Sequence, residues 1–322
     1  MAELIKVEGL KKYFARGDKF LKAVDDVSFN ISAGETLGLV GESGSGKSTL
    51  GRAILRLITP DAGHVYFEGK DMASMGAEEL RRTRKNMQIV FQDPLASLNP
   101  QMSIGETIGD PLDIHKIGTS AERRLKVAEL LDIVGIGRGF INSFPFEFSG
   151  GQQQRVGIAR ALVLNPRFIV CDEPVSALDV SIQAQIIALL ADLRKKFNLS
   201  YLFISHDLAV IKFVSDRIAV MYLGKIVELG TKDQVFNNPK HPYTKALIQS
   251  FPKIPKPGQD PLKVYATLKG EIPSPVDLPK GCRFNTRCPS ATQMCIDMDD
   301  PKLVEVEKGH QVACVLYPGP KL

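Results

Sequence analysis

The chain has 322 residues, 44% of them apolar, and 41 basic against 36 acidic residues leave a formal net charge of +5. That is enough for one large domain, or a large domain with a small appendage, and the charge is too mild and too mixed to argue for nucleic acid. No apolar run is long enough to cross a bilayer, and the opening MAELIKVEGLKKYF lacks the unbroken apolar centre of a signal peptide, so a cytoplasmic chain is expected.

From Ile5 to Phe67, short apolar runs such as LIKV, VSFNI and GHVYF alternate with turn residues and predict strands with a hairpin or two. The period then changes in ETLGLVGESGSGKSTLGRAILRLI. Its first part reads as a buried strand, its middle is rich in glycine, and its end places Leu50, Ile54, Leu57 and Ile58 on one helical face. From about Pro94 to Phe148 the chain is more polar and helix-like, and AERRLKVAELLDIVGI carries helical spacing with Gly135 near its end. This region is taken as a helical insertion over about 94–160.

Helix GGQQQRVGIARALVL, strand RFIVCDEP, helix SIQAQIIALLADLRKKF, strand SYLFISHD and further strands RIAVMYLG and KIVELG follow. Such alternation predicts a parallel sheet covered by helices. Ile186, Ile187, Leu190 and Leu193 read as a core stripe, and Cys171, inside an apolar strand, as a small buried hydrophobe. Between Ser250 and Gly281 seven prolines in 32 residues argue against regular helix or central strand. The expected domains are therefore 1–250, and a Pro-rich and Cys-rich region over 251–322.

Two stretches carry chemistry. GESGSGKS at 41–48 has the phosphate-loop pattern: glycines let backbone amides turn inward around phosphates, and the following helix presents its N-terminus to them. Gly41, Ser43, Gly44, Ser45, Gly46 and Thr49 are the expected cradle, with Lys47 on the terminal phosphates and Ser48 on magnesium. FIVCDEP brings two carboxylates to a strand end, where ligands gather in parallel sheets. Asp172 is expected to support the magnesium and Glu173 to orient the attacking water. An ordinary glycine turn and a chance acidic pair are the bland alternatives, but two complementary halves on two core strands argue against both. His64, His115, His241 and His310 read as isolated in polar or turn-like surroundings and receive no catalytic role.

FSGGQQQR at 148–155 resembles the signature of ATP-binding cassette ATPases, and Gln92 in IVFQDP, Asp179 in SALD and His206 in ISHD follow in that family's order. The resemblance covers residues 1 to about 250. It implies an α/β phosphate-loop ATPase core with a parallel sheet, an antiparallel β-subdomain, an inserted helical subdomain and, here, a small Cys-rich C-terminal extension. It further implies that two cassettes pair head to tail, so that Ser149, Gly150, Gly151 and Gln152 of one meet the nucleotide held by the other. By the same resemblance Gln92 is a magnesium ligand and senses the membrane partner, Asp179 belongs to the nucleotide site, and His206 contacts the terminal phosphate. Tyr13 matches the aromatic residue that stacks on adenine, with Phe14 and Phe20 as rivals.

NNPKHPYTKALIQSFP resembles the C-terminal motif of ATPase subunits that drive peptide and nickel importers. LKAVDDVSFNISAGETLGLVGESGSGKSTLGRAILRL and CDEPVSALDVSIQAQIIALL resemble the second ATPase subunit of dipeptide and oligopeptide importers. This implies ATP hydrolysis that powers peptide import from the cytoplasmic face of the membrane, where the chain is peripheral. The implied partners are two membrane-spanning permease subunits, a related second ATPase subunit and, indirectly, a periplasmic or extracellular peptide-binding protein. The alternatives are a nickel importer and a soluble cassette ATPase acting on nucleic acid or ribosomes. The latter usually carries coiled-coil or zinc-bearing insertions, or two cassettes in one chain.

Four of the five cysteines, Cys282, Cys288, Cys295 and Cys314, fall in the last 41 residues, separated by five, six and 18 residues. They lack the paired spacing of a zinc ribbon, and a cytoplasmic setting disfavours disulfides. Four thiolates suit an iron–sulfur cluster or zinc. Their arrangement after the proline-rich segment resembles the [4Fe-4S] site of peptide-importer ATPase subunits, which implies a structural or redox-sensing cluster, with zinc next and unligated thiols last.

Overall fold

The structure is a computed structural model that describes residues 2–250 and 270–317. The greater part of the expected proline-rich segment lies outside the described residues. Strands β1 (Glu3–Arg16), β2 (Lys19–Ser32) and β3 (Thr36–Val40) precede helix α1 (Lys47–Ile54), followed by β4 (Ala62–Phe67) and β5 (Lys70–Asp71). Next come α2 (Ala77–Thr83), β6 (Met87–Val90), α3 (Pro94–Ser97), α4 (Ile104–Ile114), α5 (Ser120–Ile133) and α6 (Gly150–Leu162). The sequence continues through β7 (Phe168–Asp172), α7 (Val180–Phe197), β8 (Ser200–Ile204), α8 (Leu208–Val214), β9 (Arg217–Tyr222) and β10 (Lys225–Thr231). It ends with α9 (Lys232–Asn237), α10 (Pro242–Gln249), α11 (Met294–Asp297), β11 (Val304–Glu307) and β12 (His310–Val312).

The α/β class expected from the sequence is observed, in two compact units. The first comprises Met1–Ile5, Ile31–Thr36 and Phe67–Ser205. Its β6, β7 and β8 run parallel, Val90 opposite Cys171 and Cys171 opposite Phe203. Strands β7 and β8 are buried along their whole length, which is why they read as unbroken apolar runs instead of alternating ones. The helices expected between 94 and 160 are present, and three start with reciprocal caps: Ser103 with Glu106, Thr119 with Glu122, and Ser149 with Gln152. Ile186, Ile187, Leu190 and Leu193 of α7 are core residues, as is Cys171.

The second unit comprises Lys6–Asn30, Leu37–Tyr66 and His206–Leu322. Here β3 is parallel to β9, while β9, β10, β12 and β11 pair antiparallel in that order. In the smaller sheet β1 lies between β2 and β4. Residues read from sequence as an appendage thus extend the sheet that carries the glycine-rich loop: Glu228 pairs with Val312 and Leu229 with Gln311. Phe284 is buried against Tyr222 and Tyr243, with ring centroids 5.3 and 5.4 Å away.

Two expectations are corrected. Helix α1 stops at Ile54, short of Leu57 and Ile58: Arg56 takes a left-handed φ of 54°, and the amides of Arg56 and Leu57 close back on the carbonyls of Ala53 and Arg52. This paired closure is a Schellman end, with an arginine where glycine is usual. His241 and His310 are not in polar turns but buried beside the buried carboxylate of Glu228, which accepts from the His241 amide and the His310 Nε2, each at 2.8 Å.

Candidate functional site

The buried strand β3 ends at the glycine-rich loop, whose shape is fixed by contacts that exclude side chains. A Cβ at Gly41 would stand 2.1 Å from the Met221 carbonyl oxygen, and one at Gly46 would stand 1.9 Å from that of Ala23. Gly44 and Gly46 take φ of 76° and 104°, a region that favours glycine. The Lys47 ammonium is buried and donates to the carbonyl oxygens of Gly41 at 2.8 Å and Glu42 at 3.0 Å. Ser45 is buried too, and its hydroxyl has no hydrogen-bond partner among the described residues. Ser43 and Gly44 form the exposed lip, with open space where a Gly44 side chain would be, while Ser48 and Thr49 lie in the first turn of α1. An orphan hydroxyl, a buried ammonium and a glycine cradle at a helix N-terminus fit a phosphate chain.

Elements outside the loop grip its second residue. The Glu42 amide donates to the Tyr243 hydroxyl at 3.0 Å, and its carboxylate receives both arms of the Arg287 guanidinium, at 2.7 and 3.0 Å. The Tyr13 hydroxyl donates to Asp25, whose other oxygen accepts from Arg283; Arg283 also reaches Asp300 and the Leu223 carbonyl. Burial works against charge on Asp25, but the Tyr13 hydroxyl and the Arg283 guanidinium outweigh it and hold the carboxyl below its usual range. Tyr13 itself is half-buried with Lys22 over its ring, whereas Phe20 is 59% exposed and Phe14 is 38% exposed.

In the first unit, β7 ends at the buried Asp172, and Glu173 follows with a φ of 48°, a left-handed conformation uncommon for any residue but glycine. The Glu173 amide donates to the Ile204 carbonyl at 3.0 Å, and its carboxylate accepts from the Gln92 side chain at 3.3 Å. These two residues of the expected site are therefore together. Ser149 caps α6, and Gln154 of that helix donates to the carbonyl of Phe91, next to Gln92, at 3.4 Å. Gly151 is needed as glycine because a Cβ there would lie 2.4 Å from the Ile182 side chain of α7. Asp179 is exposed at the N-cap of α7. In the second unit, His206 is exposed ahead of α8, which Asp207 caps.

Cys282, Cys288, Cys295 and Cys314 line one small cavity, with His241 and Phe284 on its wall. Burial pushes the Cys282 thiol up to about 12, and lifts those of Cys288 and Cys314 above the usual range, with neighbouring thiols acting in the same direction. All five cysteines are free, and among the described residues no three His, Cys, Asp or Glu form a group that could hold a metal ion. Sequence reasoning missed Asp25, Tyr243, Arg283 and Arg287. The one local signal was that each arginine is next to a cysteine.

A glycine-cradled lysine after a buried strand and two carboxylates after another define a phosphate-loop nucleotide-binding protein. The family described as "ABC transporter" matches residues 24–176, and the one described as "Oligopeptide/dipeptide transporter, C-terminal region" matches residues 227–295. The chain belongs to the ABC transporter family, as an ATP-binding cassette ATPase of the branch that carries this C-terminal region. It is 51% identical over 322 residues to the oligopeptide transport ATP-binding protein AppF of Bacillus subtilis, covering 98% of this chain and 97% of that one. It is 50% identical over 311 residues to the oligopeptide transport ATP-binding protein OppF of Haemophilus influenzae, covering 96% and 93%. Among solved structures, a dimeric post-hydrolysis ATP-binding cassette bound to ADP and Pi superposes with a TM-score of 0.65 at 32% identity, covering 71% of this chain and 99% of that one. CbiO1 of Clostridium perfringens, part of an ABC transporter complex, gives 0.65 at 26% identity, covering 74% and 92%.

Proposed function

We propose that the chain is the nucleotide-binding subunit that hydrolyses ATP to power import of dipeptides or oligopeptides through a membrane ABC transporter. The observation that carries this reading is a fitting phosphate cradle on a chain similar, along nearly its whole length, to oligopeptide transport ATP-binding proteins. The loop residues Gly41, Ser43, Gly44, Ser45, Gly46 and Thr49 hold the phosphates with amides and hydroxyls, and Lys47 bears on the terminal ones. Ser48, Gln92 and Asp172 hold the magnesium, which when bound neutralises charge developing on the transferred phosphoryl group. Glu173 orients the attacking water. Its strained backbone and its bond from Gln92 fix where that carboxylate points. His206 contacts the terminal phosphate and Tyr13 stacks on adenine. Ser149, Gly150, Gly151 and Gln152, with Asp179, serve the nucleotide of a partner cassette.

In this reading the subunit pairs with a related cassette subunit, and both dock on two membrane-spanning permeases at the cytoplasmic face, with a peptide-binding protein engaged indirectly. No helix among the described residues is long and apolar enough to cross a membrane. Affinity purification from membranes of the native host tests this. Permease and second-ATPase subunits are expected to co-purify, whereas recovery only with ribosomes or DNA would overturn it.

Domain 1–250 is the cassette in this reading, and in region 251–322 Cys282, Cys288, Cys295 and Cys314 would hold a [4Fe-4S] cluster by closing together from positions in which no three of them yet form a metal-binding group. The support is that the four thiols line one cavity and that burial and neighbouring thiols disfavour the thiolates of Cys282, Cys288 and Cys314, a penalty that a bound cationic centre would reverse. An anaerobic preparation assayed for iron, acid-labile sulfide, zinc and absorbance near about 400 nm checks it. A colourless protein with one zinc and no iron after reconstitution assigns the site to zinc instead.

A further inference from the structure

The phosphate loop of this chain is closed by residues that lie far beyond the phosphate-loop motif. Glu42, its second residue, is held at both backbone and side chain: Tyr243 accepts its amide, and Arg287, 245 residues away, meets its carboxylate with two parallel bonds of 2.7 and 3.0 Å. The Arg287 side chain is only 4% exposed and that of Glu42 21%, so water competes little for this pair. The guanidinium lies 5.9 Å from the Tyr222 ring centre and 6.0 Å from that of Phe284, and it donates to the Tyr222 hydroxyl at 3.4 Å. A second anchor, Arg283, ties the same turn to Asp25 and Asp300. A planar fork packed on two rings and doubly bonded to a carboxylate has one orientation, and it passes that orientation to the loop.

We infer that Arg287 is a positioning residue for ATP: through Glu42 it presets the glycine cradle that receives the phosphates, so that the cysteine-bearing turn sets nucleotide affinity. The inference rests on the nucleotide reading of the loop. A loop held in its binding shape before ATP arrives loses little freedom on binding. Releasing it costs the same free energy in the bound ground state as in the transition state. The loss then falls on KM and not on kcat. Since Arg287 directly precedes Cys288, a change at that thiol acts on the loop through one peptide unit.

The test measures ATP binding and magnesium-dependent hydrolysis of the full chain as wild type, Arg287→Gln, Arg287→Lys, Glu42→Gln and the double variant R287Q/E42Q. Both Gln variants are expected to raise the Kd and KM for ATP about fivefold to tenfold with kcat within about twofold. The double variant is expected to be no worse than either single one, because both remove one interaction. Arg287→Lys, which keeps the charge but loses the fork, is expected to fall between wild type and Arg287→Gln. Unchanged ATP affinity in Arg287→Gln, a loss confined to kcat, or additive losses in the double variant would each overturn the inference while leaving ATP binding by the wild type intact. A wild type that binds no ATP would overturn the nucleotide reading and this inference together. Should Arg287→Gln fail to fold, Glu42→Gln carries the same test, because it leaves every side chain of the C-terminal turn in place.

Discussion

The glycine-rich loop and the acidic strand end both follow fully buried strands, yet the two turns are held in opposite ways. After β3, position is enforced by lack of space: carbonyl oxygens of Met221 and Ala23 stand where side chains at Gly41 and Gly46 would be, and Lys47 is folded onto the loop's own carbonyls. After β7, position is enforced against backbone preference: Glu173 carries a full side chain at φ 48°, and the Gln92 side chain donates to its carboxylate at 3.3 Å. A cradle that must receive the same phosphates every time can be rigid. In the proposed reading Glu173 serves a reacting water and has to be aimed, and a left-handed backbone anchored by its amide to the Ile204 carbonyl would aim it.

Four substitutions break this contrast, from the largest effect to the smallest. Glu173→Gln is expected to lower ATP turnover by about a hundredfold or more while leaving ATP binding within a few fold, because the cradle is untouched. Single-turnover kinetics beside equilibrium binding checks it, and near-normal hydrolysis would remove Glu173 from its role. Lys47→Ala is expected to act on the other side, weakening nucleotide binding itself by roughly fiftyfold, since a buried ammonium is lost from the phosphate cradle. Gly46→Ala combines a left-handed backbone with a 1.9 Å collision and is expected to destabilise the fold by at least about 2 kcal/mol, read from denaturant midpoints. Loss of binding with unchanged stability would contradict that account.

The smallest effect tests the Tyr13–Asp25–Arg283 anchor. Asp25→Asn is expected to cost roughly 1.5 kcal/mol near neutral pH, because Arg283 then faces a neutral amide. The folded-state value of Asp25 is depressed, so the charged carboxylate stabilises the fold above its unfolded value of about 4. That contribution disappears as the pH falls through the folded value. The stability gap between variant and wild type is therefore expected to narrow in acid below about pH 4 and to hold constant above it.

What could be read from the sequence was what the chemistry or the core writes locally. GESGSGKS was legible because each glycine answers a contact or a φ that excludes other residues, and β7 and β8 were legible because burial on both faces leaves mostly apolar side chains, with Asp172 and Ser200 only at their ends. The α7 stripe was legible for the same reason. The end of α1 was not, because the apolar spacing continues through Leu57 while Arg56, an ordinary helix former, takes the left-handed turn. The Glu228 cluster joins groups 13 and 82 residues apart, and the Arg287 clamp spans 245, so no window of sequence contains either pair. Nor did composition announce that the cysteine-bearing region continues a sheet. Its strands are three and four residues long and half polar.

That continuation has a consequence for how the chain can be cut. Pairing with β12 covers one flank of β10, and His310 from β12 is one of the groups that satisfy the buried Glu228 carboxylate. A chain ending before Val304 would turn β10, which carries Ile226, Val227 and Leu229, into a bare edge strand, with unclaimed amides and carbonyls and an under-bonded acid beside them. Strand edges of that kind recruit one another. A truncation meant to isolate the cassette would therefore give a sticky protein, whatever became of the cysteines.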